Sequence, residues 1–408
     1  MKARYFFYPF LSLFSVAMFA SCSLSVPKEG DIIEDSAFRS VDLRIIEKTK
    51  GTVMSLGDLM ESYEIIRLDN RDEALIKTYP YGVYVTDNYI LLRPADVVSP
   101  VKLFTRKGRY VADIGGVGQG PGEYLYLFSW LVDEKENRIY LGPGRTDKVL
   151  VYDLKGNYLP DEVIRFGEIV HKSQIWVDYD KKNVVVVTLP FSANVNSNFA
   201  ISKNVCWVQN REGDIVHRIP VNHYGLIGDY SNALVARRNV DAISFSIFED
   251  PMLRTRPDTL YHYDAVKNII TPCFTIDHVV SENQSVCTVL YETSRSYWAQ
   301  VTLYPNNLSS SVSSVRLPAF NVCVSKKDGN VRRIDRFTDP LLGLSHLFLM
   351  MNNGYICISY DPLELMDALD KVLTQTDLEP DVRKRATDLR NSLHENDNDI
   401  LIIGKLKQ

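Results

Sequence analysis

The chain has 408 residues, a formal net charge of -5 and a composition that is 45% hydrophobic and 24% charged. A mildly acidic chain argues against a nucleic-acid partner, whose sites are normally basic. The short basic pairs Arg237-Arg238 and Arg332-Arg333 sit beside acidic residues and read as solvated surface.

In chain order the first element is a leader. Lys2 and Arg4 precede an apolar run from Phe6 to Phe19, which ends at Ala20-Ser21-Cys22. A run of about 14 residues is short of the roughly 20 a spanning helix needs, and small residues before a cysteine form a lipobox. The expectation is a lipoprotein signal peptide over residues 1–21, with Cys22 lipidated as the mature N-terminus. Several acyl chains on one residue hold a membrane firmly, at about 0.8 kcal/mol per buried methylene. Residues 22–57 are polar and aperiodic and read as a tether, leaving 58–408 as one domain.

Within that domain one pattern recurs: an apolar strand, a tight polar turn, a second strand, a loop, then a second hairpin closing on Asp/Lys-x-Gly. Inner hairpins are legible at Val83 to Leu92, Trp130 to Leu141, Ile175 to Val187 and Leu347 to Ile358. Second hairpins turn at Gly108, Gly156, Gly213, Asn268 and Gly329, residues suited to the positive φ of such turns. Four strands repeating at roughly 40 to 60 residues mark an all-β propeller, here of six four-stranded antiparallel blades. Spare strands at Tyr63 to Leu68 and Asp399 to Leu406 are expected to close the ring within one blade. Between them, residues 362–394 carry the apolar spacing of two amphipathic helices, an insertion in the last blade serving as a lid or a packing surface.

The run from Phe104 to Tyr124 contains Ile114-Gly115-Gly116-Val117-Gly118-Gln119-Gly120-Pro121-Gly122-Glu123-Tyr124. It resembles the hallmark of the six-bladed β-propeller lipoproteins of Bacteroidetes, related in shape to NHL-type propellers, in which it reads close to IG-x-x-GQGPGEY. The resemblance covers about Tyr63 to Lys407 and implies fold and export rather than an activity. Surface-exported lipoproteins of such bacteria usually carry acidic residues directly after the lipidated cysteine. Here Ser23-Leu-Ser-Val-Pro-Lys-Glu follows, which favours attachment facing the periplasm.

For chemistry, the loops on one face of such a ring would gather Arg93, Asp96, Gln119, Glu123, Arg145 and Asp147 around a funnel. The glycine-rich hallmark lacks the Lys-Ser/Thr and helix of a P-loop, so a structural reading competes, in which Gly118, Gln119, Gly120, Pro121, Gly122, Glu123 and Tyr124 tie neighbouring blades together. Asp113 with Glu123 as a general acid and base has no spacing to support it. The seven histidines are scattered, and no CxxC, HExxH or GxSxG occurs, so neither a cofactor nor a metal site is assigned. With Cys22 acylated, five cysteines remain, and Cys206, Cys323 and Cys357 lie in apolar strand runs as inert buried thiols. The four tryptophans fall in the strand repeats as blade packing, with Trp298 the one expected at the surface. Two functions stay open: a membrane-anchored recognition or scaffold module for a glycan, peptide or protein, and a hydrolase or lyase on saccharides or lactones using a funnel acid, with or without a divalent ion.

Overall fold

Strands with apolar residues at successive positions bury both faces and need cover on both sides. Val83, Val85, Ile90, Leu92 and Phe104 pack toward one neighbouring sheet, whereas Tyr84, Leu91, Val101 and Leu103 pack toward the other. Repeating that demand around an axis produces the ring. The computed structural model describes residues 28–29, 31–32, 38–96, 98–178, 183–193, 203–221, 226–227, 234–237, 243–248, 257–278, 284–305 and 317–407. The expected leader and Cys22 lie outside them, and no helix of the described residues is long and apolar enough to cross a membrane.

The fold is a six-bladed β-propeller. Blade one is Pro80–Val85, Tyr89–Pro94, Val101–Thr105 and Tyr110–Ile114, paired antiparallel in chain order. Blade two runs from Leu127–Asp133 to Ile164–His171, blade three from Gln174–Asp178 to Ile215–Pro220, blade four from Leu234–Arg237 to Ile269–Asp277 and blade five from Gln284–Glu292 to Val331–Thr338. Blade six joins the two ends of the domain: Met350–Asn352, Tyr355–Tyr360 and Ile400–Lys405 come late in the chain, and Glu64–Arg67 comes early as the outer strand. Apolar clusters fill each gap between blades.

One stretch differs from the sequence reading. Residues 39–55, placed in the tether, are part of the propeller. Arg39–Asp42 pairs parallel with the outer strand of blade four, and Thr52–Ser55 pairs parallel with that of blade five. Lys28–Glu29 and Asp31–Ile32 make the same kind of contact with the outer strands of blades three and four. The early chain is thus a strap along three successive blade edges before it becomes the outer strand of blade six. Val41, Leu43 and Ile46 enter the core between blades four and five, and Met54, Leu56 and Met60 enter that between blades five and six. Covering an outer edge also satisfies backbone groups that would otherwise invite pairing with other chains.

The two helices are Pro362–Leu373 and Pro380–Asn391, inserted in blade six as expected. Leu365, Leu369, Val372 and Ala386 pack against Leu342, Leu344, Ile400 and Ile402. Of the two roles considered, the contacts are those of a packing surface. Cys206, Cys323 and Cys357 are buried free thiols. Trp298 corrects the expectation of exposure: it is 3% exposed, tilted against Phe337 in the gap between blades five and six.

Candidate functional site

On the face reached by the loops between second and third strands, blades one and two carry a ledge of uncovered apolar side chains. Tyr79 is 75% exposed and Tyr126 is 55% exposed, and Tyr81, Val98 and Leu125 are also exposed. Large apolar groups left exposed on one face of a protein mark candidate interaction sites. Strand register builds the ledge. Gly82 stands opposite Arg93, and the Trp130 indole lies across Gly82 so closely that a Cβ there would sit 2.1 Å from the ring. The guanidinium of Arg93 stacks over Tyr81 at 4.2 Å and lies 5.6 Å from the Trp130 ring centre. Tyr81 and Trp130 themselves meet edge to face at 6.1 Å. Burial works against the charge of Arg93 and lowers its pKa, partly opposed by Tyr81, Tyr124 and Asp96. The result is a cation fixed among aromatic rings, a geometry that is favourable in itself.

The residues expected around a funnel divide. Arg93 and Asp96 line one small crevice with Tyr124 and Leu125. Asp96 is committed to its own loop, accepting from the Val98 and Ser99 backbone N–H groups and from the Thr78 hydroxyl. These bonds outweigh its burial and lower its pKa. Gln119 and Glu123 are exposed on the crossover between blades one and two. Arg145 and Asp147, read as loop residues, instead stand exposed in the third strand of blade two, Arg145–Tyr152. None of these four lines the crevice.

The glycine-rich loop Gly115 to Tyr124 has a structural account. The Tyr124 hydroxyl donates to the Ile114 carbonyl and accepts from the Val101 N–H, both at 2.9 Å, which joins the entry of blade two to blade one. Tyr152 of blade two donates to the carbonyl of Gly122, whose φ of 74° places it in the left-handed region. Glu123 accepts from the Gly120 N–H at 2.7 Å, and its carboxylate occupies the space that a Cβ on Gly118 would need. Asp113 forms an ion pair with the buried Lys102 at 2.9 Å, which commits it elsewhere than to a proton exchange with Glu123.

A buried ionic group between blades four and five was not singled out from the sequence. Glu292, 3% exposed at the end of its strand, takes His262 Nε2 at 2.7 Å on one oxygen and Lys326 Nζ at 2.5 Å on the other. Burial raises the Glu292 pKa, but the two cations outweigh it and the net shift is down. Burial opposes protonation of His262 too, yet hydrogen bonding with Cys273 and Glu292 lifts its pKa to about 9. No three His, Cys, Asp or Glu side chains among the described residues are grouped as ligands for a metal ion.

Comparison with known proteins gives the following. The profile of the family described as a domain of unknown function, DUF4934, matches residues 40–405. No curated protein matches the sequence. A Bacteroides fragilis protein named as exported is similar in structure, with a TM-score of 0.57 at 15% identity, over 90% of this chain and 99% of that one. A member of the DUF4221 family from Bacteroides vulgatus aligns with a TM-score of 0.44 at 8% identity, over 86% and 97% of the two chains. At 15% identity the likeness to the Bacteroides fragilis protein is one of fold.

Proposed function

The chain belongs to the DUF4934 family, and from that premise we propose that it is an exported recognition module, lipid-anchored through Cys22 and facing the periplasm, that holds a glycan on the aromatic ledge of blades one and two. The observation that carries the reading is Arg93 stacked on Tyr81, with Trp130 edge to face with that ring, at the end of blades one and two where Tyr79 and Tyr126 are also exposed. Sugar rings present C–H faces that lie against aromatic rings, while their hydroxyls take hydrogen bonds from a fixed guanidinium. A rigid propeller rim holds such groups in place at little entropic cost, which favours binding. The leader ending at Cys22 and the exported structural neighbour support a place in the cell envelope.

The test is a glycan array probed with the full-length chain, alongside the Tyr81→Ala and Tyr126→Ala variants. Both side chains are exposed, so the fold is expected to survive, and each variant is expected to weaken binding about 3- to 10-fold. Equal binding by wild type and both variants would remove the ledge from the account. Turnover of a bound saccharide would move the protein to the hydrolase or lyase class.

A further inference from the structure

We propose that the opposite face of the ring carries a second site, a groove at the foot of blades one and two that binds a ligand bearing phosphate or sulfate groups. The groove is a cavity of about 550 Å³ whose walls include Arg106, Lys107, Arg109, Asn88 and Glu134. Its cations come from one hairpin turn, Thr105-Arg-Lys-Gly-Arg109, in a protein whose net charge is -5. The turn is held in place. Gly108 has a φ of 78°, and a Cβ there would stand 2.1 Å from the Arg67 carbonyl oxygen, so the loop is seated against blade six. Arg106 N–H donates to the Asn88 carbonyl at 2.6 Å, and Thr105 N–H donates to the Arg109 carbonyl at 2.8 Å.

Charge accounting favours an anion. Glu134, the one carboxylate in the wall, is engaged by Asn88 through the backbone N–H at 2.9 Å and the side-chain amide at 2.6 Å. Arg106 shares one nitrogen with Glu64 at 3.0 Å, and its Nη1 is buried with no hydrogen-bond partner among the described residues. Lys107 and Arg109 are exposed. With Arg106 paired to Glu64 and Glu134 engaged by Asn88, Lys107 and Arg109 are the two cations of the groove left without an acidic partner among the described residues. Glu134 also lines a separate cleft of about 560 Å³ whose charges are mixed, with Asp87 and Asp133 beside Lys135 and Lys405. Tetrahedral oxyanions suit such a set, because each oxygen accepts a charge-assisted bond from a separate donor.

The test is calorimetric titration of the full-length chain in neutral detergent with inorganic pyrophosphate at low salt. A companion assay measures retention of the Cys22→Ser chain, which cannot be acylated there, on phosphatidylcholine vesicles with and without phosphatidylglycerol. Wild type is expected to bind pyrophosphate, and the double variant Lys107→Glu/Arg109→Glu to bind at least about tenfold more weakly at an unchanged melting temperature. Retention that needs phosphatidylglycerol and is lost in the variant also supports the site and assigns its oxyanion to a lipid headgroup. Binding unaffected by the double variant overturns the proposal, as does no response of wild type to either probe.

Discussion

A chain that begins at Gly57 is expected not to fold, whereas one that begins at Phe38 is expected to fold with nearly full stability. The difference is the strap. Between those starting points lie Val41, Leu43, Ile46, Met54 and Leu56, all buried in the gaps flanking blade five. At about 1.5–3 kcal/mol for each buried apolar side chain, their loss is on the order of 10 kcal/mol, comparable to the whole stability of a typical domain. Removing them also bares the outer edges Ile269–Asp277 and Val331–Thr338, which the strap pairs along part of their length. Circular dichroism and solubility of the two truncations check this. A cooperative thermal transition from the shorter chain close to that of the longer one would show the strap to be an accessory.

Glu292→Ala is expected to destabilise the protein by about 1–3 kcal/mol, because it removes the buried carboxylate that pairs with the partly exposed His262 and Lys326. The pH dependence follows from the signs. The folded pKa of His262, about 9, lies above its ordinary 6.5, so its contribution is full below pH 6.5 and is lost as pH rises through about 9. Glu292 titrates below its ordinary 4.5, so its contribution is full above pH 4.5 and is lost as pH falls through the lowered value. Wild type should therefore lose stability both in acid and above about pH 9. In Glu292→Ala the alkaline part of that loss should shrink, since His262 no longer has its carboxylate. Urea midpoints measured at pH 6 and pH 9.5 would check this, and an alkaline loss of equal size in both proteins would exclude this ionic group as its source.

The architecture was legible because each blade repeats its instructions locally. Gly108, Gly156, Gly213, Gly329 and Asn268 all take positive φ at the second-hairpin turns where the sequence placed them. The closing strands were legible for a related reason, since unpaired apolar runs at both ends need each other. The strap was not. Its apolar residues are few, interrupted by short helices at Leu43–Lys48 and Leu56–Leu59, and its strands pair only with strands far along the chain, as Lys28 with His217 and Arg39 with Phe274. No local period marks a segment whose partners are chosen by ring closure.

The site was legible in part. Arg93 and Asp96 line one crevice, but the ledge was hidden because Tyr79, Tyr81 and Tyr126 stand beside ordinary strand aromatics in the sequence. Trp298 differs from the expectation because the polar Arg295 near it belongs to a hairpin turn, while its own strand, Ser296–Pro305, is second from the axis and covered on both faces. Glu292 and His262 are thirty positions apart on different blades and meet only through packing.

Trp130 provides the most direct test of the ledge as the binding surface. Trp176, Trp207 and Trp298 are buried between blades, whereas Trp130 is half-buried against Tyr81 and Arg93. The measurement is tryptophan emission of the full-length chain during titration with the strongest glycan from the array, repeated with Trp130→Phe. A saturable emission change in wild type that vanishes in Trp130→Phe is the predicted result. Saturable glycan binding with the same emission response in both proteins would contradict the account and place the ligand elsewhere on the ring.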